Sequence, residues 1–254
     1  MTHPSAPEAQ GSGPEHMPRH LHVEPDELAP RRERACAAMR AEGLAELLLF
    51  RQESMYYLTG YDTFGYVFFQ CLYLGADGRM TLLTRAPDLL QARFTSVVED
   101  VRIWVDGPDA TPAADLRAIL EEHGLRGARL GVEWEGYGLT ARQGQRLAAA
   151  LDGFCAMADA SDLVNRLRVV KSPAELAYVR RAAGGELADD ALDAGSAASG
   201  PGAFEGDILA AMHGAIYRGD GDDPANEFIS RGRSHLSPSR RLDRPSHCST
   251  RGRR

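Results

Sequence analysis

The run GYVFFQCLYLGADGRMTLLT, residues 65–84, constrains the fold of this chain more than any other stretch. Its first part is aromatic and β-branched, a composition that suits a packed, pleated surface. It closes on Ala76-Asp77-Gly78, a turn signal, and RMTLLT resumes the apolar pattern beyond it. A strand over Gly65–Gly75 that pairs back across the turn is predicted, which is a β-hairpin.

The flanks decide what the hairpin belongs to. Upstream, Glu24–Gly43 reads as a helix with Leu28, Cys36 and Met39 on one face, and Ala45–Phe50 (AELLLF) as a short buried strand. SMYYLTGY follows, with aromatics and a Thr-Gly turn. Downstream, helices over Pro87–Phe94, Pro112–His123 and Thr140–Leu151 alternate with strands over Val101–Val105, Ala128–Glu133 and Phe154–Ala158. Alternation of this kind predicts an α/β domain, a mixed sheet flanked by helices.

The pattern changes near Leu163, where the sequence becomes helical almost throughout. Ser172, Pro173 and Glu175 form a capping box with a proline at the first helical position. The helix they start carries Leu176, Val179, Ala183 and Leu187 on one face, weakened by Gly184-Gly185. Another helix, Glu205–Tyr217, follows Pro201-Gly202 and carries Ile208, Met212 and Ala215. The expected division is a Pro-, Gly- and Ser-rich disordered segment over 1–23, an α/β domain over 24–162, and a helical opening of a second domain over 163–230.

Composition narrows the partners. Hydrophobic residues are 43% of the chain and the formal net charge is −7, which argues against a general nucleic-acid or membrane-surface protein. The start of the chain has no apolar h-region, and no apolar run reaches about 18 residues, so neither a signal peptide nor a membrane span is expected. Cys36, Cys71, Cys155 and Cys248 show no metal or redox spacing and read as incidental thiols in a reducing, cytoplasmic setting.

At this point the residues resemble a known family. VVKSPAELAYVRRAA is similar to the linker and first helix of the catalytic domain in the creatinase, prolidase and aminopeptidase P family. PGAFEGDILAAMHGAIYRGDGDDPANEFI resembles the helix and loop that follow, and ESMYYLTGYDTFGYVFFQCLYLGADGRMTLLTR resembles the family's N-terminal domain. YYLTGY with its aromatic strand is nearest to the ectoine-hydrolase-like and Xaa-Pro-dipeptidase-like members. The resemblance implies a creatinase-type N-terminal domain followed by a pita-bread catalytic domain, and hydrolysis of C–N bonds in Xaa-Pro peptides, ectoine or creatine-like compounds. It also implies a homodimer in which one N-terminal domain borders the neighbour's active site. Full-length metallopeptidase relatives use two divalent metal ions.

The resemblance stops near Ile229. Beyond Ser230 the sequence holds eight arginines and a single acid, Asp243. Residues 231–254 are therefore expected to be an out-of-frame, disordered tail, and the chain a form truncated at the start of the catalytic domain. No catalytic residue and no metal ligand is assigned. His235, beside Arg233, Ser234 and Ser237, does not match the family's catalytic histidine. Asp220, Asp222 and Asp223 lack the closing Glu of a calcium loop and read as a turn, with Asn226 and Glu227 organising the loop beyond. The competing readings are a natural disordered extension for the tail, a non-catalytic dimerisation or binding module, and nucleic-acid binding by the tail; a steep salt dependence is the mark of the last.

Candidate substrate-binding residues are few. Tyr61, Phe64 and Tyr66 follow the Thr-Gly turn and are placed either at the edge of a substrate cleft or in hairpin packing. Arg85, at a strand end, is placed either as a bidentate clamp on a carboxylate or as a solvated arginine.

Overall fold

The structure is a computed structural model and describes residues 19–183 and 187–222. Expectations for Gly184-Gly185, for the start of the chain and for everything from Asp223 onward, His235 and Cys248 included, fall outside the described residues.

The described residues up to Val170 form one compact unit and those from Lys171 another. The first unit is built on a six-stranded sheet of order β4-β3-β2-β1-β5-β6. Its strands are β1 (Glu46–Leu49), β2 (Cys71–Gly75), β3 (Met80–Arg85), β4 (Asp100–Trp104), β5 (Arg129–Val132) and β6 (Ala156–Asp159). β2 is antiparallel to β1 and to β3, while β3–β4, β1–β5 and β5–β6 pair in parallel. β2 alone therefore runs against the others, and the carboxyl ends of β1, β3, β4, β5 and β6 share one edge of the sheet.

Both faces of the sheet are apolar because helices cover both. Leu47, Leu49, Leu72 and Leu74 pack on one side with α1 (Pro25–Ala41), α2 (Gln52–Thr59), α3 (Leu89–Thr95) and α6 (Leu163–Val169). Leu48, Cys71, Tyr73, Leu83, Leu130 and Val132 pack on the other with α4 (Pro112–Glu122) and α5 (Ala141–Leu151). Successive residues of a strand alternate between the two cores, as the period of the pleat requires. Cys36 and Cys71 are buried free thiols and Cys155 is half-buried; burial pushes all of them up.

The β2–β3 turn forms where the sequence places it. Gly78 takes a left-handed φ of 90°, and the Arg79 amide donates to Asp77 Oδ1 at 2.9 Å. The strand ahead of it is shorter than expected. Phe64–Val67 is a 3₁₀ turn, because Thr63 Oγ1 accepts from the Gly65 amide at 2.9 Å and starts a local ladder. The strand begins only at Cys71. ESMYYLT is helical, as α2, with Gly60 in the left-handed region at φ 78° as its stop.

α6 belongs to the first unit, which takes it to Val170: Leu163 and Val164 are buried in the core that α1 and α2 line. The second unit holds α7 (Pro173–Ala183), α8 (Ala188–Ala198) and α9 (Glu205–Arg218). The capping box is formed in both directions, Ser172 N to Glu175 Oε2 at 2.9 Å and Glu175 N to Ser172 Oγ at 3.1 Å. α7 is described to Ala183, and Leu187, predicted on its face, instead stands at the N-cap position of α8 without a side-chain capping bond. α8 and α9 approach closely because Gly195 leaves room for Met212. Asp220 turns the chain after α9 with a positive φ of 59°.

Candidate functional site

Chemistry-bearing side chains collect at the carboxyl edge of the sheet. The arrangement starts from Glu133, the first residue beyond β5, which is fully buried. Its Oε2 accepts from the amides of Phe50 and Arg51, at 2.9 and 2.7 Å, and its Oε1 from Ser54 Oγ at 2.6 Å. A carboxylate directly after β5 thereby ties down the two amides that lead into α2 and the hydroxyl of Ser54 in its first turn. Burial pushes Glu133 above the usual carboxylate range, against the pull of Ser54 and the amides of Arg51 and Phe50.

Glu133 fixes the place of Arg51. The Arg51 side chain is only 18% exposed, and its guanidinium pairs with the Glu135 carboxylate through Nη2. Its Nε donates to the Glu135 carbonyl at 2.5 Å. Together with Glu53, Gly136, Tyr137, Asn165 and Arg168 these residues line a cleft of about 550 Å³.

Beside the cleft stands an exposed aromatic rim. Phe64 is 87% exposed and Tyr137 73%, with Tyr66, Val67 and Phe68 also open to solvent. Tyr66 and Tyr137 meet edge to face at 5.9 Å. Gly138 allows this: an added Cβ there would collide with the Phe68 carbonyl oxygen.

The residues singled out from sequence divide between rim and core. Phe64 and Tyr66 are on the rim. Arg85 lies behind it, stacked on the Phe68 ring at 3.6 Å and paired with Asp106 at 3.0 Å. Tyr61 is in the core, with no exposed surface. Its hydroxyl donates to Gln70 Oε1 at 2.6 Å and lies 3.0 Å from Thr84 Oγ1. Burial has pushed its pKa up to about 12. Of the alternatives weighed for Tyr61, packing is the one its position matches. Arg51, Glu133, Glu135 and Tyr137 were not singled out. The available signal was WEGYG, a tyrosine between glycines directly after a strand.

Among the described residues no group of three or more His, Cys, Asp or Glu is placed to hold a metal ion. The metal pair that the family resemblance implies thus finds no fitting donor set there, and no reaction step can be derived through it. No described helix is long and apolar enough to cross a membrane.

Comparison with known proteins agrees with this architecture. The family model for the creatinase/prolidase N-terminal domain matches residues 31–170. An uncharacterized hydrolase/peptidase of Sinorhizobium fredii is 30% identical over 208 residues, covering 79% of this chain and 52% of the relative. The ectoine hydrolase of Halomonas elongata is 31% identical over 162 residues, covering 61% and 40%. The chain thus spans about half the length of the curated relatives it matches. Among solved structures, the dipeptidase PepE of Mycobacterium ulcerans superposes with a TM-score of 0.56 at 27% identity, over 78% of this chain and 51% of that one. The prolidase of Thermococcus sibiricus shares the fold, with a TM-score of 0.62 at 18% identity over 77% and 51%. By its residues 31–170, the chain belongs to the creatinase/prolidase family.

Proposed function

We propose that this chain is the substrate-bordering part of a hydrolase whose full-length relatives cleave C–N bonds in small molecules of the Xaa-Pro dipeptide, ectoine or creatine type, and that its first unit supplies a substrate border and not the groups that activate water. The observation that carries this reading is the family match over 31–170, a region whose sheet edge presents an aromatic rim. Activating water for amide hydrolysis takes a positioned base or metal beside a polarised carbonyl. Glu133 is the most buried carboxylate of that edge, and its oxygens are taken up in holding α2.

In this reading the protein is a cytoplasmic homodimer. Phe64 and Tyr66 of one copy border the substrate bound by its neighbour. Arg85 braces Phe68 against Asp106, so that the rim keeps its shape; its guanidinium is engaged on both sides and is a weaker candidate for a direct clamp. No described residue is assigned to a metal pair.

The test has two parts. Light scattering on the purified 254-residue chain is expected to give twice the monomer mass. Assays with an Xaa-Pro dipeptide, ectoine and creatine, with and without added Mn²⁺ or Zn²⁺, are expected to show no turnover by the chain itself. Metal-dependent turnover would place the water-activating groups within this chain and overturn the division of labour. A monomer would remove the role given to the rim.

A further inference from the structure

We propose that the cleft lined by Arg51, Glu53, Glu135, Tyr137, Asn165 and Arg168 binds a small zwitterion, a molecule that carries one carboxylate and one ammonium group. The inference does not rest on the hydrolase reading.

Topology makes the cleft a natural place for a ligand. β1 and β5 are parallel neighbours. After β1 the chain enters α2, which packs on one face of the sheet; after β5 it enters α5, which packs on the other. Connections that leave neighbouring parallel strands for opposite faces part at the carboxyl ends, and the crevice between them is where open α/β sheets bind ligands. The cleft lies there, lined by residues just beyond β1 and β5. About 550 Å³ lies within the ordinary range of small-molecule sites.

The lining selects the chemistry. Arg51 is mostly buried and locked by Glu135, which takes its Nε–H and one Nη2–H. Its remaining guanidinium N–H groups have no partner among the described residues. A guanidinium held in place with donors unspent is preorganised for a carboxylate, since little side-chain freedom is lost on binding. Glu53 lines the same cleft and has no hydrogen bond or ion pair among the described residues. It offers an acceptor for an ammonium group. With Glu135 engaged by Arg51, the cleft offers the remaining Arg51 N–H donors and the Glu53 carboxylate. A lone anion would leave Glu53 unmatched and a lone cation the Arg51 donors; a zwitterion meets both. Asn165 and the Tyr137 hydroxyl add neutral hydrogen-bonding groups that suit a compact polar molecule.

Titration calorimetry on the full chain tests the proposal with glycine and glycylglycine as zwitterions, acetate as the anionic half and methylamine as the cationic half. At least one zwitterion is expected to bind saturably, with acetate and methylamine each weaker by about tenfold or more. Glu53→Gln, a substitution on an exposed position, is expected to leave the melting temperature unchanged and to weaken the zwitterion by about tenfold while leaving acetate as it was. Arg51→Ala is expected to abolish zwitterion binding, and Arg51→Lys to restore part of it. The proposal fails if neither zwitterion binds, if acetate binds as tightly as glycine, or if Glu53→Gln and Arg51→Lys both bind like the unaltered chain.

Discussion

The first unit and the second are both rich in helix, yet they hold their helices by different means. In the first, α1, α2, α4, α5 and α6 all contribute to the two cores of the sheet. In the second, Ala191 and Ile208 are the buried hydrophobic residues among those described, and α7 buries none. α7 is instead defined at its start, by the reciprocal Ser172–Glu175 box. Burying an aliphatic side chain contributes about 1.5–3 kcal/mol, while a cap contributes about 1 kcal/mol. The contrast teaches that a helix can be well specified by local signals and still draw little stability from them.

The sharpest way to break that comparison is a matched pair of truncations. Leu72→Ala, in the central hairpin strand and fully buried, is expected to cost about 2–5 kcal/mol in denaturant unfolding. Leu192→Ala, on α8 and 61% exposed, is expected to change stability by no more than about 0.5 kcal/mol. Similar losses at the two positions would show that α8 rests on a core of its own.

Next in size is Gly138→Ala. Its methyl group meets backbone, the Phe68 carbonyl, which cannot rotate away as a side-chain tip would. A loss of about 1–3 kcal/mol is expected, together with altered near-ultraviolet signals from Tyr66 and Tyr137 as their contact opens. Smaller again is Ser172→Ala, expected to lower the local stability of α7 by about 1 kcal/mol. Hydrogen exchange at the first turn of α7 would read this, with little change in the strands of the sheet.

The last effect is a slope with pH. Burial raises the folded-state pKa of Glu133 above its unfolded value. The associated stability is therefore complete below the unfolded carboxylate pKa, about 4.3, and is lost as pH rises through the higher folded value. Glu133→Gln cannot ionise and is expected to lack this loss. Urea titrations across that window should show the unaltered protein losing ground to the variant as pH rises; the opposite trend would mean that the amides and Ser54 outweigh burial.

The same contrast explains what the sequence made readable. The strands of the sheet were legible because Leu47–Leu49 and Leu72–Leu74 are continuous apolar runs bounded by turn residues. The α7 start was legible because its cap lies within four residues. α2 was not, since Tyr56, Tyr57 and Thr59 have strand-like side chains and the Arg51 amide and Ser54 hydroxyl at its start are held by Glu133, from a distant part of the chain. Gly65–Val67 was read as the start of the strand for the same compositional reason, while Thr63 makes Phe64–Val67 a 3₁₀ turn. The candidate site shared this fate. Phe64 and Tyr66 stood out by residue type, but Arg51, Glu53 and Glu135 come together only through the pairing of β1 with β5.

That pairing also sets an order of assembly. Glu46 is matched to Gly75 on one side and to Leu130 on the other. During synthesis the hairpin can reach β1 soon after it emerges, whereas β5 arrives much later. Until then Leu47–Leu49 present an unsatisfied backbone edge, the kind of template on which a second nascent chain can add. A slowed ribosome between Arg85 and Arg129 would lengthen that exposure.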